Sequence, residues 1–251
     1  MVCNHSKLLS EIKVIMPIHI AIPTYDRLET FSKKTYSKII QKYKLERYVT
    51  LFIQNDKDAR EYKEAFPELK QVRSPKGIFN TIDYMGKYYA QNAKVVKMDD
   101  DITGIYHLQN ERLVKVKSAY SLFEKTFGIM SNVGASLGGY YPIPNAGFME
   151  GRKPITTDLR FIVGAMYCFI NKKISYPKYG GKSDFAFTIE NYKRDGKVVR
   201  LNDYSFRYDI AYNTEEGGDT QKFLNKYEDY VSKVVKHKDG STSFVLKKQM
   251  T

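Results

Sequence analysis

The chain is poor in cysteine: Cys3 and Cys168 are its only two in 251 residues, too few for a disulfide framework. Cys168 sits in an apolar run where a buried thiol is the ordinary expectation, so cysteine usage suggests a reducing compartment and nothing more. Long hydrophobic runs are also missing. The most apolar N-terminal piece, 12–23, is broken by Lys13, Pro17 and His19, which excludes a membrane span and the apolar core of a signal peptide. A cytoplasmic protein is expected. No predicted strand is followed by Gly-x-Gly-x-x-Gly or a P-loop, so neither glycine-rich phosphate cradle is available. Repeats, linkers and low-complexity segments are absent as well. Negative charge is in deficit, with 28 Asp and Glu against 41 Lys and Arg for a formal charge of +13. Such an excess favours polyanionic partners, nucleic acid included, although scattered lysines serve solubility equally well. The hydrophobic fraction of 42% and charged fraction of 27% are those of a globular chain long enough to bury a core as one α/β domain.

What the chain does have is the stretch Lys94-Val95-Val96-Lys97-Met98-Asp99-Asp100-Asp101-Ile102. A short apolar run ending on three aspartates reads as a buried strand delivering carboxylates to the edge of a sheet, where an open α/β fold keeps its ligands. Strand alternation predicts that Asp99 and Asp101 point one way and Asp100 the other. Such a pair suits Mn2+ or Mg2+, hard cations that accept carboxylate oxygens and complete their shells with water and phosphate. A solvated acidic turn is the plain alternative.

The pattern before the aspartates repeats. Residues 19–23 read as a strand followed by a helix to about Tyr43, residues 49–56 as a strand and a helix to about Phe66, and 71–73 as a short strand before a helix over 78–91. Three β-α units leading to the aspartate strand predict a parallel sheet with right-handed crossovers. Beyond it the pattern is mixed: a hairpin over 105–116, a helix over 118–130, a glycine-rich strand or loop over 133–141, and an apolar strand over 161–170. A helix opens at Lys182 to Phe187, short strands follow over 198–201 and 204–212, and a turn at Glu216 starts a helix over 220–236.

Ile20-Ala21-Ile22-Pro23-Thr24-Tyr25-Asp26-Arg27, followed by Met98-Asp99-Asp100-Asp101-Ile102, resembles a GT-A-fold glycosyltransferase with its DxD motif. Gly164 to Ile170, Ser183 to Phe187, Asn202-Asp203-Tyr204 and Glu216-Gly217-Gly218 are similar to the glycosyltransferases associated with TET/JBP-type dioxygenases in phages and kinetoplastids. The likeness spans about residues 18–247 and departs from the pattern twice: Ser183 stands where that group has a second acidic residue, and Phe79-Asn80-Thr81 keeps only Asn80 of an Ala-Arg-Asn type run. It implies a GT-A, Rossmann-like, mostly parallel sheet flanked by helices with mixed strands in the C-terminal half. The whole of 1–251 forms one domain, with 18–101 binding the nucleotide sugar and 102–251 the acceptor. The implied reaction moves a sugar, glucose in the first instance, from a UDP-sugar to a hydroxyl, here 5-hydroxymethyl pyrimidine in DNA modified by a bacteriophage enzyme in the host cytoplasm.

Carried over residue by residue, Thr24, Tyr25, Arg27, Asp56, Asn80, Asp99 and Asp100 line the nucleotide-sugar pocket, with Asp56 accepting from the base or, alternatively, capping its helix. Asp101 and Asp99 hold the metal, and His237 is a candidate further ligand, although Lys236 and Lys238 beside it disfavour a cation. Asp184 is the candidate general base, or the group that orients the acceptor if configuration is retained; a helix cap is its alternative. Tyr140 and Tyr141 are candidates to stack on an extruded base, and Lys172, Lys173, Lys182, Arg194, Arg200 and Lys233 to meet phosphates. Glycan or lipid-linked acceptors, a nucleotidyltransferase and a non-enzymatic nucleic-acid-binding module remain as other readings.

Overall fold

The computed structural model describes residues 17–209, 217–238 and 240–247; Cys3 and Glu216 lie outside them. Four parallel strands, β1 (Ile18–Thr24), β2 (Val49–Ile53), β3 (Lys70–Arg73) and β4 (Lys94–Met98), lie in the order β3-β2-β1-β4. Every residue of β2 and nearly every one of β1 is buried, as expected of strands covered on both faces. The chain between β1 and β2 is one helical rod, α1 (Leu28–Phe31) and α2 (Gln41–Tyr43) joined by a π-helical stretch, Ser32–Ile40. Helices α3 (Asp56–Ala65) and α4 (Ile78–Tyr88) make the next two crossovers. Because β2 and β3 build to one side of β1 and β4 to the other, the strand order reverses between β1 and β4, which opens a crevice at their carboxyl ends.

The rest of the sheet is mixed. The hairpin β5 (Gly104–Gln109) and β6 (Arg112–Lys115) closes the far edge, and helix α5 (Ala119–Val133) leads to β7 (Leu137–Tyr141). A short helix α6 (Ala146–Met149) precedes β8 (Ile155–Thr156). Strand β9 (Met166–Ile170) inserts antiparallel between β4 and β7. Helix α7 (Ser183–Asp195) then leads to β10 (Val199–Arg207), which pairs parallel with β7 and antiparallel with β5 and β8. One core layer packs Ile20, Ile22, Val96 and Met98 against Phe31, Ile39 and Tyr62; the opposite layer packs Ala21, Val95 and Phe169 against Met85, Ile189 and Phe223. The result is a mixed α/β fold around a large, mostly parallel sheet flanked by helices, as expected.

Three elements differ from the sequence reading. The apolar run 161–170 is strand only from Met166; the Gly164 carbonyl and N–H bond to the side chains of Lys97 and Asp184 and not to a neighbouring strand. The segments 198–201 and 204–207 are one strand with an irregularity between Leu201 and Ser205; 210–212 lie outside the described residues. The helix expected over 220–236 is α8 (Gly217–Tyr227), and Val231–Lys236 is instead β11, paired with β12 (Thr242–Leu246). Val231, Val234 and Val235 keep a helical i, i+3, i+4 spacing, but three β-branched residues in six suit a strand, and Phe244 of β12 stacks on Phe223 of α8 at 4.6 Å, which ties the hairpin to the helix. No helix among the described residues is long and apolar enough to cross a membrane.

Candidate active site

The crevice between β1 and β4 gathers carboxylates on both of its walls. Strand β4 stops at Met98 and residues 100–101 form a turn, so strand alternation does not govern all three aspartates. Asp99 faces the side of Lys97, whereas Asp100 and Asp101 are collected together by Arg27, whose Nη1 and Nη2 each lie 3.0 Å from a carboxylate oxygen. Arg27 thus brings Asp100 and Asp101 together, while Asp99, bonded to Lys97, stays within electrostatic reach of Asp101. Thr24 donates its hydroxyl to Asp100 at 2.9 Å and shares a bond of 2.6 Å with the Tyr62 hydroxyl. Burial pushes Asp100 up to about 7, against the pull of Arg27 and with Asp99 adding to the rise. The turn is held from beneath by Thr35, fully buried in the π-helical stretch: its hydroxyl donates to the Asp99 carbonyl at 2.9 Å and accepts from the Ile102 N–H at 2.8 Å. Helical π-bulges often sit at functional sites because they re-aim one side chain. On the opposite side Asp58, itself buried, accepts the Asp26 N–H at 2.7 Å and fixes the turn after β1.

The second wall starts at Lys97, a lysine only 3% exposed inside an apolar strand. Its ammonium bonds to the Asp99 carboxylate and donates to the Gly164 carbonyl at 2.6 Å. The Gly164 N–H donates in turn to Asp184 Oδ2 at 2.9 Å, and Tyr176 donates its hydroxyl to Asp184 Oδ1 at 2.5 Å. The Asp184 carboxylate is therefore held by Gly164 and Tyr176 and does not cap its own helix, where Lys182 holds the N-cap position. Burial, opposed by Lys97 and reinforced by Asp101 and Asp184, raises Asp99. Burial and the nearby carboxylates Asp184 and Asp99 push the Tyr167 hydroxyl well above its usual value, and that hydroxyl has no hydrogen-bond partner. Lys97, Gly164, Tyr176 and Thr35 were not singled out in the sequence; only Lys97, a charge inside an apolar run, carries a signal there.

Thr24, Arg27, Asp99, Asp100, Asp101 and Asp184 thus meet in one crevice. Tyr25 stands at its mouth, 45% exposed. Asp56 opens α3 and pairs with Arg73 at 3.2 Å, while the cap is Asn55, which accepts the Asp58 N–H. Asn80, exposed on α4, takes Lys178 at 2.8 Å. His237 does not join the aspartates: it is exposed on the β11–β12 hairpin with Nε2 2.8 Å from Ser243 Oγ. Tyr140 cannot stack on a base, being fully buried with its hydroxyl 3.2 Å from Thr126, and Tyr141 is already covered by the guanidinium groups of Arg152 and Arg200 at 5.0 and 5.4 Å. Of the cations proposed for phosphates, Lys182 is buried and Lys173 donates to carbonyls at the end of α4, whereas Arg200, 8% exposed, lines a pocket beside β8.

Among the described residues no three His, Cys, Asp or Glu side chains converge as a complete cation cage. Asp101 Oδ1, however, is buried without a hydrogen-bond partner. An orphaned anionic oxygen beside a second carboxylate fits a cation that takes one or two protein carboxylates and fills its shell from substrate phosphate and water.

No protein-family model and no curated protein sequence matches the chain. Its fold does match solved structures. Glucosyl-3-phosphoglycerate synthase from Mycobacterium tuberculosis, in complex with Mn2+, UDP and glucosyl-3-phosphoglycerate, superposes with a TM-score of 0.51 at 12% identity over 93% of this chain and 88% of that one. The same enzyme with phosphoglyceric acid gives 0.55 at 12% identity over 88% and 85%, and a further mycobacterial protein gives 0.55 at 12% over 94% and 85%. At that identity the likeness is one of fold, and it matches the GT-A-like architecture expected from the sequence.

Proposed function

We propose that the protein is a metal-dependent glycosyltransferase that moves a sugar, glucose in the first instance, from a UDP-sugar to a hydroxyl of 5-hydroxymethyl pyrimidine in DNA. The observation that carries the transferase reading is the meeting of Asp99, Asp100, Asp101, Arg27 and Asp184 at the switch point of the sheet, with one buried Asp101 oxygen unpartnered. The synthase complexes with this fold hold Mn2+ with UDP or UDP-glucose, which supports reading the crevice as a donor site. In this reading residues 18–101 bind the donor and 102–251 the acceptor.

Asp101, beside Asp100, would hold the cation together with the donor diphosphate, and Mn2+ or Mg2+ there would supply neutralisation of charge building on the leaving UDP. Arg27, with 43% of its side chain exposed, is free to turn from the carboxylates onto the diphosphate, where a guanidinium fork matches phosphate geometry. Asp99, neutralised by Lys97, faces the sugar. Asp184 accepts the proton of the attacking hydroxyl as the new bond to the anomeric carbon forms and the bond to UDP breaks. Tyr176 and the Gly164 N–H hold that carboxylate in place; in a retaining reaction the same grip orients the acceptor.

The DNA acceptor rests on the +13 charge and on the sequence resemblance. A target inside a duplex must be turned out to reach Asp184, at a cost of a few kcal/mol. Calorimetry with UDP, with and without Mn2+, tests the donor: metal-dependent binding is expected, and no binding of any nucleoside diphosphate removes the transferase reading. Mass spectrometry after incubation with UDP-sugars should find sugar on DNA containing 5-hydroxymethyl-uracil or -cytosine and none on unmodified DNA. Transfer to a free saccharide instead would replace DNA with a glycan acceptor.

A further inference from the structure

Beside β8, on the acceptor half of the molecule, lies a cavity of about 560 Å3 lined by Arg152, Lys153, Arg160, Arg200, Thr156 and Asn202. Its single acidic lining residue, Asp158, is taken by Arg160 at 2.9 Å. Among the described residues no carboxylate lies within ion-pair distance of Arg152, Lys153 or Arg200. Arg200 is 8% exposed and bonds only to neutral oxygens, Asn202 Oδ1 at 2.8 Å and the Phe161 carbonyl at 3.4 Å. Burial, then the neighbouring Arg160 and Arg152, push Arg200 down to about 10 against the opposite pull of Tyr141 and Asp158. A buried cation surrounded by further cations is held at an electrostatic cost that an anion would remove.

The pocket is also built. Asn202 donates its side-chain amide to the Lys153 carbonyl at 2.8 Å and its N–H to the Pro154 carbonyl at 2.7 Å. Arg200 pairs with Thr156 across β8 and β10, so the loop that carries Arg152 and Lys153 is pinned to the strand that carries Arg200. Three cationic groups without carboxylate partners and a threonine hydroxyl form the donor set that suits a tetrahedral, multiply charged oxyanion. The pocket neighbours the candidate active site: Phe161, whose carbonyl accepts from Arg200, stacks on Phe185 at 4.0 Å, the residue after Asp184, and Arg160 stands four residues before Gly164, at most about 14 Å of chain.

We propose that this pocket is a phosphate-binding subsite that seats a phosphate group of the acceptor while the acceptor hydroxyl meets Asp184. The assignment to the acceptor rests on the glycosyltransferase reading; the phosphate site itself does not. The phosphate belongs either to the backbone of a nucleic acid or to a small phosphorylated acceptor.

Calorimetric titration separates these. Inorganic phosphate, a short single-stranded DNA oligonucleotide and UDP are each titrated into the wild-type protein and into the double variant Arg152→Gln/Lys153→Gln, with UDP measured in the presence of Mn2+. Both substituted residues are exposed, so folding, checked by thermal melt, is preserved, whereas the buried Arg200 is left alone. The expected result is saturable one-site phosphate binding to the wild type, weakened about tenfold or more in the variant, with UDP affinity unchanged. If the phosphate is that of nucleic acid, the oligonucleotide displaces inorganic phosphate and loses affinity in the variant; if it is that of a small acceptor, the variant loses phosphate but binds the oligonucleotide as before. Equal phosphate binding by both proteins, displacement of phosphate by UDP, or no phosphate binding at all overturns the proposal. Loss of UDP binding in every protein overturns the donor reading and leaves a positive phosphate result standing.

Discussion

Asp101→Asn keeps the shape of the side chain and its bond to Arg27 while removing the charge next to the unpartnered Oδ1. Turnover should fall on the order of a hundredfold or more with the thermal melt little changed; full activity with an unchanged melt would show that Asp101 holds no cation. Asp184→Asn retains one acceptor oxygen but cannot take a proton, so turnover should drop steeply while UDP affinity in calorimetry stays near that of the wild type. A parallel loss of donor binding would mark Asp184 as structural. Gly164→Ala probes the same group from the other side. The added methyl would stand far inside van der Waals contact with the Asp184 carboxylate, and overpacking of this kind costs about 1–3 kcal/mol. Denaturant unfolding should show that loss together with reduced turnover.

At the scale of elements, the π-helical stretch Ser32–Ile40 places Thr35 where one hydroxyl serves both the Asp99 carbonyl and the Ile102 N–H. Thr35→Val preserves volume and leaves both backbone groups unpaired, so denaturant unfolding should report a loss of about 1–3 kcal/mol, and Thr35→Ser should recover most of it. A second joint ties α7 to β7. Asp195, the last residue of α7, accepts the Ser136 N–H at 2.7 Å and pairs with Arg194. Burial works to raise its carboxyl, but Arg194 and the Ser136 N–H outweigh it and the net shift is downward. A carboxyl lowered on folding stabilises the native state above its unfolded value of about 3.9 and loses that contribution as pH falls through the folded value below it. The stability difference between wild type and Asp195→Asn should therefore be constant above about pH 5 and shrink below about pH 4; a difference independent of pH down to acid unfolding would remove the ion pair from the account.

For the whole molecule, an excess of 13 positive charges predicts an electrostatic footprint on DNA. The logarithm of duplex affinity should fall linearly with the logarithm of salt concentration, since each neutralised phosphate releases condensed counterions. Arg152→Gln/Lys153→Gln should flatten that slope by up to about two contacts if both side chains reach the backbone. A slope near zero for the wild type would assign the charge to solubility and leave a small acceptor.

The amino-acid sequence by itself determined the early β-α alternation, the aspartates at the end of β4 and the helix that opens at Asp184, because each is a local pattern of period, cap or turn. It misread 231–236, where valines at i, i+3 and i+4 next to a helix carry a helical spacing that pairing with β12 and the packing of Phe244 on Phe223 override. What only the tertiary structure decided is which charges share a crevice. Lys97 and Gly164 are separated by 67 residues, as are Thr35 and Ile102, and no local rule connects them. Arg27 drew Asp100 and Asp101 together because the chain turns at the strand's end, so the pairing of carboxylates followed the guanidinium across the crevice and not the alternation of the strand. The same holds for Arg200, one basic residue among 41 in the sequence. Only the pairing of β8 with β10 buries it among other cations, with no carboxylate of the described residues within ion-pair distance.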